Sequence, residues 1–166
     1  MSVFLALALA SARDLLGVHG AWGAFRDADR CYAIARPEIS ATPRSGTSRG
    51  PQASDRARWR PFASVGTFPK RGQRNSLHVR LSRARDRSGR VTLSVGERRF
   101  ALAATGTDAW APDAATERAI VGAMRSGRSM SVEAVAAGGR PFADTYRLDG
   151  AATAIDAAAL ACLGRR

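Results

Sequence analysis

The chain has 166 residues, 45% hydrophobic and 24% charged, which is material for one domain able to bury a core without metals and excludes a largely disordered chain. Its 26 basic residues, 25 arginines and the single Lys70, face 14 acidic ones and leave a net charge of +12. That balance predicts attraction to anionic surfaces such as nucleic acid, lipid headgroups or polysaccharide.

The N-terminus reads MSVFLALALASARD. A short apolar run, Val3 to Ala10, precedes Ala10-Ser11-Ala12, which has the A-x-A form preferred by signal peptidase. Residues 1–12 are therefore expected to be a signal peptide and residues 13–166 a single domain, periplasmic or secreted. The run is too short to span a membrane as a mature helix, so no transmembrane segment is expected in the mature chain. No Lys or Arg precedes it, and an ordinary buried N-terminal segment is the competing reading. Cys31 and Cys162, with no C-x-x-C pattern, read better as one disulfide than as a metal site. Two separate buried thiols are the alternative.

Next in order, AWGAF (21–25) and CYAIA (31–35) predict two short strands joined by a polar turn. Residues 37–58 are rich in Pro, Ser, Gly and Arg with no hydrophobic period, and predict a long loop. FASVGTF and SLHVRLSR then predict strands, the second with Leu77, Val79 and Leu81 alternating against His78, Arg80 and Ser82. RVTLSV and RRFALAA predict a hairpin around Gly96-Glu97. APDAATERAIVGAMRSG predicts a helix with Pro112 in its first turn, Gly127 at its C-terminal cap, and Ile120, Val121 and Met124 on one face. SMSVEAVAA and RPFADTYRL predict two strands joined by Gly138-Gly139. The alanine-rich end predicts a second helix with Ala152, Ile155, Ala159 and Cys162 on one stripe and Asp149 capping its start. This pattern points to an antiparallel β-sandwich with two short helices, one of them C-terminal.

Catalytic signals are weak. GTSRG (46–50) has the G-x-S-x-G form of a hydrolase nucleophile elbow, but prolines flank it and no strand leads into it. His19 and His78 lack a third ligand at metal spacing. Asp144, Glu133 and Asp149 are candidates for an acid–base pair, yet Asp144 and Tyr146 read more simply as one face of a strand. No cofactor, metal or small-molecule substrate is expected. The densest charge lies in residues 70–90, where Arg71, Arg74, Arg83, Arg85 and Arg87 are candidates for an anion-binding face. Few aromatics are interleaved there, which argues against a single-strand stacking platform.

RCYAIARP, DAWAPD, AIVGAMRSGRSMSV and DTYRLDGAATAIDAAALAC, in that order, resemble the invasion-associated locus B family of exported bacterial proteins. The resemblance covers about residues 20–36 and 60–163. It implies an immunoglobulin-like β-sandwich in the cell envelope or outside the cell, with a core strand at Asp144–Tyr146 leading into a helix that carries Cys162 toward Cys31. The expected function is non-enzymatic binding of a macromolecular or cell-surface partner, anionic in character. A basic nucleic-acid-binding module is the alternative, and a small hydrolase the third reading.

Overall fold

The computed structural model describes residues 13–38 and 60–163. The expected signal peptide, most of the 37–58 loop and the Gly46–Gly50 motif lie outside the described residues. Ten strands are present: β1 (Asp14–His19), β2 (Trp22–Arg26), β3 (Cys31–Ala35), β4 (Phe62–Phe68), β5 (Gln73–Arg80), β6 (Val91–Val95), β7 (Arg98–Thr105), β8 (Asp108–Trp110), β9 (Ser129–Val135) and β10 (Pro141–Arg147). The helices are α1 (Ala114–Ser126) and α2 (Ala151–Ala161).

Every pairing is antiparallel, in the order β1-β2-β3-β4-β5-β8-β7-β6-β9-β10. Strand β7 belongs to both halves. Its residues Arg98 to Leu102 pair with β6, and Ala103 to Thr105 pair with β8. The sheet folds over on this shared strand into a sandwich-like, all-β architecture. One apolar cluster fills the interior, running from Trp22 and Ala33 through Leu77, Leu93 and Val132 to Ile120 and Ile155 on the helices. Among the described residues no helix is long and apolar enough to cross a membrane.

Two strands were not anticipated from sequence. In β1, Leu15-Leu16-Gly17-Val18 has no two-residue alternation, and a register shift falls between Leu15 and Gly17. Strand β8 has only three residues, too few to show a period. The caps also differ from expectation. Pro112 lies outside α1, because Asp113 is the N-cap and its carboxylate accepts from the Thr116 N–H at 2.7 Å and hydroxyl at 3.0 Å. Asp149 does not cap α2. That place belongs to Gly150 in a left-handed conformation, φ 78°, where a Cβ would land on the His19 carbonyl oxygen. The Asp149 carbonyl instead accepts from Ala21 N at 3.1 Å, and its carboxylate lies 3.6 Å from Arg147. The buried stripe of α2 is Ala151, Ala154, Ile155 and Ala158, one position off the expected alanines.

Cys31 and Cys162 form the predicted disulfide, with their Cα atoms 5.9 Å apart and a sequence separation of 131. Both are buried. The bond joins β3 to the residue that ends α2. Near it, the Trp22 indole N–H donates to the Arg147 carbonyl at 2.8 Å, tying β2 to the end of β10.

Candidate functional site

Strand alternation decides which side chains face the core and which face outward. Cys31, Ala33 and Ala35 of β3, Ala63 and Val65 of β4, Leu77 and Val79 of β5 and Ala109 of β8 are buried on the inner face. Both helices add their buried residues to that same core. Their neighbours in the strands therefore point to the opposite face, which no described element covers.

That outer face is aromatic and basic. Register sets Tyr32 beside Phe25 on one side and Gly66 on the other. Phe25 and Tyr32 stack with ring centroids 5.7 Å apart. Gly66 lies under these rings: a Cβ there would stand 3.0 Å from the Phe68 ring and 3.8 Å from the Tyr32 Cβ, so a larger residue would shift the Phe68 ring slightly. The next row is Ile34, Ser64, His78 and Trp110, and beside it lie Phe62, Arg80 and Asp108. His78 meets Phe62 and Trp110 edge-on, at 5.1 and 6.3 Å. Trp110 is 39% exposed.

Arginines lie over these rings. Arg30 and Arg13 stand 4.7 and 5.9 Å from the Tyr32 centroid, Arg71 stands 5.6 Å from Phe68, and Arg80 stands 5.3 Å from Phe62. Crowded this way, Tyr32 is only 6% exposed, and burial is the main cause that raises its phenol above the ordinary value. An exposed stack of this kind contributes roughly 0.5–1 kcal/mol. It holds the guanidinium in place and leaves N–H donors for an incoming acceptor.

Some of the charge is already matched. Arg30 pairs with Asp27 at 3.0 Å, and Lys70 with Asp29 at 2.6 Å. The bond from Lys70 holds the Asp29 carboxyl below its ordinary value. Asp108 accepts from His78 at 2.7 Å, Arg80 at 3.3 Å and Thr107 at 3.1 Å. Burial opposes its ionisation, yet these partners outweigh it and keep the carboxyl below its ordinary value. No described carboxylate comes within ion-pair distance of Arg13 or Arg71. At this end of the face an open cleft of about 610 Å³ is lined by Arg13, Arg30, Lys70, Arg71, Asp27, Asp29 and Phe68.

The five arginines expected to form one anion-binding face do not lie together. Arg71 and Arg74 sit at the start of the eight-residue β5, and Arg83, Arg85 and Arg87 lie past its other end. A strand of that length separates them by roughly 23 Å. Arg71 belongs to the cleft, and Arg74 is exposed but does not line it. Arg83 lies 6.0 Å from the Phe142 ring, and Arg87 is exposed. Arg85 is not available to a ligand. Its guanidinium donates to the carbonyls of Asp86 (2.8 Å), Arg87 (3.1 Å), Gly89 (2.7 Å) and Ala104 (2.8 Å). The segment between β5 and β6 has no continuous ladder, so its carbonyls need a donor from elsewhere.

Nor do the three candidate carboxylates converge. Asp144 is buried on the core side of β10 and accepts from Ser82 N at 2.8 Å. Glu133 stands opposite Ala143, on the other face, and pairs with Arg99 at 3.1 Å. Asp149 lies beyond the strand. The outer face itself escaped sequence reasoning because its rings come from β2, β3, β4 and β8. A usable signal was present: Phe62 and Phe68, like Tyr32, occupy the outward phase of strands that were correctly expected. Compared with protein-family models, curated proteins and solved structures, the chain matches none.

Proposed function

We propose that this protein is an exported, non-enzymatic binding protein, periplasmic or secreted, whose outer sheet face engages an acidic polysaccharide of the cell envelope or a cell surface. The observation that carries the partner class is the set of arginines laid over Tyr32, Phe62 and Phe68 on one sheet face that no described element covers. Anionic groups spaced along a flexible polymer would meet several fixed guanidinium forks at once. Export is supported by the Cys31–Cys162 bond, since such bonds persist in oxidising compartments, and by the resemblance to the invasion-associated locus B family. A nucleic-acid partner is disfavoured, because base stacking needs open rings and three of these rings lie under arginines.

Heparin serves as the probe polymer. The triple variant R30Q/R71Q/R80Q should lose most of its affinity and much of its salt dependence, while R90Q/R98Q/R140Q, with the same charge removed elsewhere, should lose little. Equal losses would reduce the interaction to net charge and refute the face. Fractionation of the source cells with N-terminal sequencing tests export, and an intact Met1 on cytoplasmic protein would refute it.

A further inference from the structure

We infer that the cleft between the β2–β3 turn and the 69–71 turn is a phosphomonoester site, with Arg13 and Arg71 as its principal donors. The inference deepens the proposed function and rests on it for the biological setting. Its physical basis lies in the cleft alone.

The charge count selects the ligand. Arg13, Arg30, Lys70 and Arg71 face Asp27 and Asp29 across one cleft, so four cations against two carboxylates leave two positive charges. The carboxylates are taken: Asp27 by Arg30 and Asp29 by Lys70. These pairs also brace the turn, since Asp27 O–C–O groups and backbone hold Arg30 and Asp29 locally. Arg13 and Arg71 have no described carboxylate within ion-pair distance, although Arg71 is near enough to help hold the Asp29 carboxyl ionised, and each rests on an aromatic ring, Tyr32 and Phe68 respectively. A carboxylate or a sulfate ester brings one negative charge and would leave one arginine unmatched. A terminal phosphate carries about −1.5 to −2 at neutral pH and three acceptor oxygens, enough for two forks. The volume, about 610 Å³, lies in the range of small-ligand sites and admits a phosphate together with the sugar or glycerol that bears it. Because the cleft is open, the phosphate could arrive on a soluble sugar or on a lipid headgroup.

Glycerol 3-phosphate is the soluble probe, followed by calorimetry on the full chain. Vesicles containing phosphatidic acid, compared with phosphatidylglycerol vesicles of equal charge density, are the lipid probe. Binding to either monoester should fall tenfold or more in R13Q and in R71Q, fall less in R71K, and stay unchanged in R98Q. Arg98 is the matched control, since it also lies over a ring, 5.1 Å from Phe100, away from the cleft. No histidine lines the cleft, so affinity should drop as pH falls from 7.5 to 5.5, following the second ionisation of the phosphate near pH 6. A response to glycerol 3-phosphate identifies a soluble source, and a response to phosphatidic acid alone identifies a headgroup. Absence of both, or an equal loss in R98Q, overturns the site. If heparin binding is lost in R30Q/R71Q/R80Q but no monoester binds, the cleft inference fails and the proposed function stands. If monoester binding requires Arg71 while the triple variant leaves heparin binding unmoved, the reverse holds.

Discussion

Removing the disulfide with C31A/C162A should cost the fold up to about 5 kcal/mol. The figure follows from the 131-residue separation of the two cysteines: closing so long a loop removes about 17 cal/mol/K from the unfolded chain, which is about 5 kcal/mol at 25 °C. Little should be lost in the folded state itself, because alanine is tolerated among Ala33, Ala154 and Ala158 in the same core. For a domain of this size the shift in Tm should be roughly 10–20 °C. Two features separate this mechanism from loss of packing. The single variants C31A and C162A should each cost nearly as much as the double variant, since either one already opens the loop. The urea m-value should also rise, because the unfolded chain, freed of its tether, exposes more surface. Urea unfolding of the parent with and without reductant, beside the three variants, supplies every number needed. A double variant within 1 kcal/mol of an intact, oxidised parent, or single-variant losses that add up to the double, would refute the chain-entropy argument.

R85M should destabilise the fold by about 2–4 kcal/mol in thermal unfolding, because four backbone carbonyls lose their donor, and R85K should recover only part of this since an ammonium cannot span the same acceptors. G150A should cost about 3 kcal/mol or more: it combines a left-handed φ with a collision against the β1–β2 turn, and urea unfolding would reveal a near-neutral substitution if that approach were looser. Asp144 yields a pH-dependent prediction. Burial raises its carboxyl above the ordinary value, against hydrogen bonds from Ser82 that lower it. The folded state therefore holds the proton more tightly than the unfolded chain, and stability falls as pH rises from the ordinary carboxyl range through the raised value. D144N keeps an acceptor for Ser82 N, so it should be more stable than the parent at neutral pH, with the difference vanishing on acidification below the ordinary carboxyl range; a pH-independent difference would refute the assignment.

Much of the fold was legible because β3, β5, β6 and β9 each repeat an apolar side chain every second residue, as in Val91, Leu93 and Val95, while β4 and β10 keep the same alternation of burial with Thr67 and Asp144 taking inward places. Turn chemistry was legible where a left-handed glycine was needed, at Gly96 and Gly139. The disulfide followed from counting cysteines. Strands β1 and β8 were missed for want of a local period, and three other failures depended on a partner distant in the chain. Asp149 has the right chemistry for an N-cap, but the approach of the β1–β2 turn gives that position to Gly150. Arg85 looks like its charged neighbours in sequence, and what distinguishes it is the set of carbonyls it gathers from its own turn and from Ala104 on β7. Phe62, Phe68 and Tyr32 were seen as strand residues one by one, while the face they share exists only after β3 and β4 pair.

The lock between the ends of the domain has a kinetic consequence. Helix α2 and Cys162 complete the inner face of the strands that are made first, and Trp22 finds its carbonyl partner at Arg147. Contacts of such sequence separation form late and slow the search for the native state. Until residues 147 to 162 have emerged, Trp22, Ala24 and Ala33 have no cover and Cys31 has no native partner thiol. The first three strands therefore complete their inner face only when α2 docks, and formation of the Cys31–Cys162 bond reports that docking.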